Sequence, residues 1–401
     1  MDYDVLIVGG GAAGFFAAIH IAETKPKLKI AILEKGKEVL TKVKISGGGR
    51  CNVTHAEFVP NELAKYYPRG EKELKGPFHT FCSGDTIAFF EKRGVALKIE
   101  EDGRMFPTSD SSQTIIDCFL HEVNRLGVSV LTGHAVKRIE RQDNWLVETS
   151  KGEFSCKKLL IASGSSPKVW RMIKDLGHSL VTPVPSLFTF NINDQRIKSL
   201  PGLSTMGSVK ILGTHLNSEG PVLITHWGLS GPAILKLSAW GARDLNALDY
   251  KFKIQINWLY NQGVEEALEE LKLVKANNGK KLVVNIKPFE IPKRLWFSLL
   301  NASGITDQMR WAEVSKQQLT TLASQLTQSV YDVDGKSTFK EEFVTAGGVD
   351  LKEVDFKTYQ SKIQKDLYFA GEVLNIDAIT GGFNFQNAWT GAFIAAKAIA
   401  D

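Results

Sequence analysis

Three glycines and a carboxylate carry the first chemistry legible in this chain. Gly9, Gly11 and Gly14 form a G-x-G-x-x-G knot, and Glu34 follows Gly14 by twenty residues. Gly9 can turn tightly, Gly11 lets backbone N–H groups approach a pyrophosphate, and Gly14 lets a helix lie close against a strand. A carboxylate at that spacing accepts hydrogen bonds from both hydroxyls of an adenosine ribose. Such chemistry needs elements in a fixed order, and the neighbouring residues supply it. Val5-Leu6-Ile7-Val8 reads as a strand, and Phe15, Ala18, Ile19 and Ala22 recur with helical spacing. A second strand, Lys29 to Leu33, delivers Glu34 just past its end. The helix N-terminus then directs its partial positive charge at the anion. Glycines alone also make empty turns, but strand, glycines, helix, strand and acid in succession point to a dinucleotide site. Ala12, Ala13 and Lys35, beside these residues, join the candidate cofactor contacts.

At 401 residues the chain exceeds one ordinary domain and suggests two or three. A hydrophobic share of 43% with 23% charged residues is that of a globular protein with a real core, and it excludes fibrous and disordered classes. The net charge of +5 is compatible with anionic ligands but does not by itself argue for nucleic acid. Cys51, Cys82, Cys118 and Cys156 are widely spaced, with no CxxC pair and no histidine cluster. Neither a metal site nor a disulfide framework is expected, and a cytoplasmic setting fits. The apolar start lacks a basic leader and no apolar run reaches about 18 residues, so neither a signal peptide nor a membrane span is expected.

Seven lysines lie between Lys25 and Lys44; the ordinary reading is a solvated face, and the sharper one a phosphate or RNA contact. Next comes Ser46-Gly47-Gly48-Gly49-Arg50-Cys51-Asn52, whose glycines suit a close approach to something flat or a backbone at positive φ. After a dinucleotide pattern, this motif resembles the hallmark of the bacterial BaiN-like (YhiN-like) NAD(P)/FAD-dependent flavoproteins, also labelled aminoacetone-oxidase-like. The similarity covers essentially the whole chain. It implies FAD, with Gly48, Gly49, Arg50, Cys51 and Asn52 along the pyrophosphate and flavin. Arg50 can alternatively serve a surface ion pair, and Cys51 can be a small packed residue rather than a redox centre.

Arg104-Met105-Phe106-Pro107 matches the family's Gly-Arg-x-Phe-Pro element, which borders the active-site cleft and makes Arg104 a catalytic candidate beside Cys51. Without the family it reads as a hydrophobic turn. Residues 128–131, 136–141, 145–149 and 153–157 read as successive strands in an antiparallel meander, with Val136 a further candidate cofactor contact. A buried strand from Lys158 then ends in small residues, and the resemblance puts Ala162 and Gly164 close to the cofactor.

Pro183, Pro185 and Pro201 mark a change of character near residue 190. The insert, 191–340, divides into a β-rich part, about 191–260 and 280–290, and a helical part, about 261–279 and 291–335. Within it, 251–259 and 281–286 read as strands. Thr225-His226-Trp227-Gly228-Leu229-Ser230-Gly231-Pro232 opens a helix, with Ser230 as its cap. The family shares this element, and His226 is the leading candidate for proton transfer, against the alternative of a satisfied structural histidine.

The last sixty residues return to the first domain. Glu342 to Thr345 is strand-like, and Asp366 to Glu372 is a strand ending in Gly371 and an acid. Gly381-Gly382-Phe383-Asn384-Phe385-Gln386 opens a helix whose N-terminus can stabilise the charge of a reduced flavin near N1 and O2. The resemblance implies that Gly371, Glu372, Asp377, Gly382, Phe383 and Asn384 border the cofactor; for Asp377 a cap or surface role is the alternative. Asn375 and Ala378 stand where the commonest family pattern has Asp and Gly.

The expected fold is α/β: a Rossmann-like FAD-binding domain of the two-dinucleotide-fold flavoprotein type, built from 1–190 and 341–401, with the insert between. The expected function is an FAD-dependent oxidoreductase passing hydride through flavin N5 to or from a small organic substrate. The family label spans reduction of activated C=C bonds in steroid-like molecules and amine oxidation. With one dinucleotide fingerprint, NAD(P)H would dock only transiently as electron donor. The rival readings are an FAD-dependent tRNA-modifying protein and a non-catalytic flavin-binding protein.

Overall fold

In the computed structural model, which describes residues 2–338 and 344–401, Val5, Leu6, Ile7 and Val8 are enclosed on both faces. That enclosure is what a central parallel strand requires. This strand, β1 (Asp2–Val8), is followed by helix α1 (Ala12–Thr24), β2 (Ile30–Leu33), β3 (Ser129–Leu131), β4 (Gly152–Ile161), β5 (Leu367–Phe369) and helix α2 (Phe383–Ala400). The strands lie in the order β5-β4-β1-β2-β3, all parallel. Val8 stands opposite Leu33 and Ile161, Leu33 opposite Leu131, and Phe369 opposite Ile161. Five carboxyl ends therefore finish on one line, the edge outside which open α/β sheets bind ligands.

The meander forms from Val136–Arg141 and Trp145–Thr149. The break expected near residue 157 does not occur. Gly152–Ile161 is one strand, pairing with Trp145–Thr149 through Cys156 and with β1 from Ser155 onward. Lys157 and Lys158 sit inside it because each charge finds a partner, Asp4 at 2.9 Å and the Ile399 carbonyl at 2.7 Å. Helix α2 is buried along most of its length, and Trp389 meets Phe16 at 5.1 Å and Phe119 at 5.7 Å between ring centroids.

The chain divides into two units, Met1–Val184 with Lys340–Asp401, and Pro185–Phe339. The boundary lies a few residues before position 190 because Thr189–Asn191 is already a strand of the second unit's sheet. That sheet is antiparallel and seven-stranded, with Ser329–Asp334, Lys251–Asn257, Ser204–Ile211, Asn217–Ile224 and Gly228–Ser230 preceding Thr189–Asn191 and Lys336–Ser337. Its core joins Val209, Ile254 and Ile256 to Trp258, Trp296 and Trp311 of the helical part. Two local expectations are corrected here. Residues 281–286 are no strand: Val283–Asn285 is a single 3-10 turn, and the run makes one bridge, Leu282 to Arg310, rather than a ladder. Ser230 pairs with Leu223 in the sheet, so Gly231, at φ 90°, caps the helix Pro232–Trp240. A β-carbon at Gly231 would stand 2.8 Å from the Pro221 carbonyl oxygen. Of the expected strand Glu342–Thr345, the first two residues lie outside the described residues; Val344–Val349 is a strand.

Candidate cofactor site

The site is built from the carboxyl edge of the parallel sheet. Gly9 leaves β1 at φ 120°, and a β-carbon there would meet the Ala162 carbonyl oxygen at 2.4 Å. A β-carbon on Gly14 would lie 2.0 Å from the Gly9 carbonyl oxygen, so α1 and β1 approach as closely as they do only without one. Gly11 is different: its backbone is extended, and a β-carbon would project into open space. That space lies in front of α1, which has neither a side-chain cap nor an acid in its first turn. Open volume facing uncapped N–H groups, which include those of Ala12 and Ala13, is a cradle for an anion.

Glu34 stands at the end of β2, held by the Gly10 N–H at 2.9 Å and the Gly36 N–H at 2.7 Å. Two donors fix the carboxylate while leaving acceptor capacity for hydroxyls. Lys35 is exposed beside it, and Val136 is half-buried at the start of its strand.

The triple glycine follows a single helical stretch from Thr41. Ser46 breaks the helix, and Gly47, Gly48 and Gly49 take φ values of 58°, 69° and 85°. Gly47 is packed against Asn52 and Phe106, whereas β-carbons at Gly48 and Gly49 would meet nothing. This left-handed run thus presents an open backbone surface. Asn52, with its amide oxygen toward Gly382, accepts from the Gly382 N–H at 3.0 Å and donates to the Thr54 carbonyl at 3.0 Å. The early motif and the closing motif are thereby tied together. Behind them, the Gln386 side chain accepts from Thr54 at 2.6 Å and Thr86 at 2.8 Å, all three buried.

Other candidates are occupied differently from the expectation. Arg50 pairs with Glu100 at 2.6 Å and lies 3.9 Å over the Phe106 ring, and Arg104 pairs with Asp102 and Glu100. Their guanidiniums form a part-exposed ion network with Glu100 and Asp102. Cys51 is wholly buried at φ 61°, and burial pushes its thiol up to about 12. Burial of this kind favours the thiol over the thiolate and fits the packed alternative for Cys51. Asp377 is buried, with both carboxylate oxygens on Arg69, and serves as an internal anchor. Asn384 clamps Ala378, accepting from its N–H at 3.0 Å. Phe383 stacks on both His55 and Tyr66, with centroids at 4.5 and 4.3 Å, and those two rings lie 5.7 Å apart. His226 is exposed in the second unit, on the turn before Gly228–Ser230, next to an exposed Trp227.

At the far side of the edge, Gly371 at φ 75° lies against Ala13, and Gly164 faces Glu372. Glu372 accepts from Lys42 at 2.6 Å and the Thr345 N–H at 3.1 Å. One member was not anticipated. The Thr345 hydroxyl is buried with no hydrogen-bond partner among the described residues, as a hydroxyl awaiting a polar ligand would be. A lone threonine in a strand gives no signal of this in the sequence.

An open anion cradle, a fixed carboxylate at ribose spacing, a bare glycine surface and a second helix N-terminus capped by Gly382 define a dinucleotide-binding flavoprotein. Comparison with known proteins gives the family: residues 3–398 match the HI0933-like protein Rossmann domain, and the chain belongs to that family. It is 28% identical to the ribosomal RNA dihydrouridine synthase of Haemophilus influenzae, over 98% of each chain. It is 26% identical to the 3-dehydro-bile acid delta(4,6)-reductase of Clostridium scindens, again over 98% of each. Among solved structures, a 3-ketosteroid-delta4-(5alpha)-dehydrogenase from Rhodococcus jostii shares the fold, with a TM-score of 0.53 at 12% identity, covering all of this chain and 97% of that one. The protein is an FAD-dependent oxidoreductase. Among the described residues no helix is long and apolar enough to cross a membrane, and no three or more His, Cys, Asp or Glu side chains are grouped so as to hold a metal ion.

Proposed function

We propose that the protein reduces a carbon–carbon double bond conjugated to a carbonyl group. The observation that carries this reading is the pair of full-length relatives. Their names describe saturation of a uracil ring and of a 3-oxo bile acid, and in both substrates the alkene is conjugated to a carbonyl. A uracil base and a small enone are therefore one acceptor class for a hydride. Bound FAD supplies that hydride through N5.

The chain's own part is positioning. The first turn of α1, with Gly11, Ala12 and Ala13, would hold the pyrophosphate, Glu34 the adenosine ribose, and Glu372 with the Thr345 hydroxyl the ribityl hydroxyls. Gly48 and Gly49 offer a flat backbone surface, Asn52 holds Gly382 in place, and the N-terminus of α2 would stabilise negative charge at the pyrimidine edge. Val136, Ala162, Gly164 and Gly371 supply the close walls. His226 is the proton-transfer candidate that no ion pair occupies among the described residues. NADPH or NADH is proposed as a donor that docks transiently, because the chain carries a single dinucleotide fingerprint.

The test is anaerobic. Purified yellow protein is reduced with NADPH or NADH, then mixed with a uridine-containing RNA, a 3-oxo-4-ene steroid and an unconjugated alkene. Rapid reoxidation by a conjugated acceptor alone is expected. Reduced flavin that persists with every conjugated acceptor refutes the proposal and favours a non-catalytic flavoprotein.

A further inference from the structure

A buried histidine outside the cofactor site joins separate stretches of the first unit. His178, 2% exposed, follows the helix Pro167–Asp175, and its Nδ1 lies 2.9 Å from a carboxylate oxygen of Glu353, at the end of the 3-10 turn Leu351–Glu353. That oxygen also accepts from the Ser179 N–H at 2.9 Å. The imidazole Nε2 lies 2.9 Å from the Ser361 hydroxyl, in the short strand Gln360–Ser361 that pairs with β5. Ser361 Oγ accepts in addition from the Ile363 N–H at 3.0 Å and the Gln364 N–H at 2.7 Å. The Phe369 ring of β5 closes over the imidazole, edge to face at 5.1 Å.

These contacts suit one protonation state. A carboxylate only accepts, so Nδ1 carries the proton and Nε2 accepts from the Ser361 hydroxyl. Ser361 Oγ then makes one donated and two accepted bonds, and neither lone pair is free. That excludes the nucleophilic role which serine, histidine and glutamate in such a chain could otherwise serve. It also leaves a second imidazole proton without an acceptor, since an Nε2–H would face a saturated oxygen in a buried site. Among the described residues Glu353 is the one charge that bears on the ring. Lys174 and Asp175 of the preceding helix are exposed, Lys362 donates to the Lys352 carbonyl, Asp350 accepts from the Lys352 N–H, and Asp366 pairs with Arg141. Burial outweighs the Glu353 carboxylate and holds the imidazole below its usual 6.5.

The same contacts close the base of a two-stranded ribbon that reaches the cofactor site. Leu180–Ser186 starts just beyond His178 and pairs with Val344–Val349, which ends just before the turn that carries Glu353. Across that base the Asp350 N–H donates to the Ser179 carbonyl at 3.0 Å. The second strand carries Thr345, whose N–H holds Glu372 at 3.1 Å. We propose that His178, Glu353 and Ser361 form an acid-sensitive clasp: a proton taken from solvent at Nε2 breaks the Ser361 contact, loosens residues 350–364 and the ribbon above them, and speeds release of the flavin. The proposal rests on the reading that Glu372 and Thr345 hold the ribityl chain. An opened histidine titrates near 6.5 and the closed one lower, so the closed form keeps its full advantage above 6.5 and loses up to about tenfold per pH unit below it.

The experiment uses the flavin-loaded full chain between pH 7.5 and 5.5. Release is timed by the rise of free-flavin fluorescence after large dilution, and amide exchange of peptides spanning 350–366, corrected for the intrinsic effect of pH, reports opening by itself. Over that range release from the parent is expected to accelerate about tenfold more than release from His178→Gln, whose amide offers a donor and an acceptor but binds no proton. His121→Gln, at an exposed histidine, is expected to match the parent. Exchange at 350–366 is expected to rise in the parent and not in H178Q. Equal acceleration in the parent and H178Q overturns the proposal, as does release from the parent that ignores pH. If H178Q does not fold, the parent's exchange decides, and no rise at 350–366 overturns the clasp. Exchange that rises while release stays flat overturns the link to the flavin and counts against placing the ribityl chain on Thr345, whereas flat exchange counts against the clasp and leaves that placement untouched.

Discussion

Replacing Gly11 with valine separates holding the cofactor from holding the fold. The backbone at Gly11 has φ −99° and ψ −167°, an extended geometry that valine favours, so no strain arises there. A β-carbon at this position meets nothing within 4 Å, and the cost to the polypeptide is that of a poor helix cap, about 1 kcal/mol or less. The same methyl groups fill the volume in front of α1 where the pyrophosphate is proposed to sit. Losing the favourable charge of the helix end alone is worth up to about 2 kcal/mol, roughly thirtyfold in affinity, before any steric clash is added. Gly11→Val should therefore fold, with a circular dichroism spectrum and melting temperature close to those of flavin-free parent protein, yet purify colourless. Gly14→Ala is the internal contrast, because its β-carbon would stand 2.0 Å from a backbone oxygen and must force α1 away from β1. The reasoning is refuted if Gly11→Val keeps the parental flavin stoichiometry, or if it fails to fold while Gly14→Ala folds normally.

Three further outcomes are expected. His20 lies among Phe16, Phe81, Phe89 and Phe393 with its Nε2 unpartnered among the described residues, and burial pushes it down to about 3 from 6.5. The folded pKa is depressed, so its contribution is intact above pH 6.5 and is lost as pH falls toward 3, by at most about 5 kcal/mol at 1.36 kcal/mol per unit. Denaturant titrations of His20→Leu should show a shallower acid loss over that window than the parent; identical profiles would exclude His20 as the cause. Asp377→Ala strips Arg69 of its buried partner and should cost about 3–5 kcal/mol in urea unfolding, whereas a loss below 1 kcal/mol would contradict an internal anchor. Cys51→Ala should keep its flavin and flavin-reduction rate within about a factor of three, and thiol reagents should leave the native protein active; loss of reduction with flavin still bound would restore the sulfur to the chemistry.

What could be read from the sequence divides by the range of the interaction. Gly14 and Glu34 act through neighbours within one βαβ unit, and their spacing pointed to the close helix and the carboxylate at the strand end, whereas the need for glycine at Gly9 is set by the distant Ala162 carbonyl. The long strand Gly152–Ile161 was harder, because Lys157 and Lys158 interrupt an apolar run and find their partners at Asp4 and Ile399, at opposite ends of the chain. The ion-pair partners of the motif candidates were out of reach for the same reason. Arg50 and Arg104 find acids at Glu100 and Asp102, and Asp377 finds Arg69, contacts set by folding rather than by spacing. The run at 281–286 carries the β-formers Val283, Val284 and Ile286, but no ladder receives it. The orphan hydroxyl of Thr345 has no sequence signature at all, since only tertiary burial distinguishes it from any other strand threonine.

The order in which the parallel strands are joined has a consequence for biosynthesis. A ribosome completes β1, β2, β3 and β4 and must then translate the whole of Pro185–Phe339 before it makes β5, the neighbour that pairs with β4. Through that interval Leu159, Leu160 and Ile161 present an unpaired apolar edge, the kind of surface that seeds aggregation and recruits chaperones. Slower translation of the intervening stretch is expected to lower soluble yield in cells even where the finished protein is equally stable.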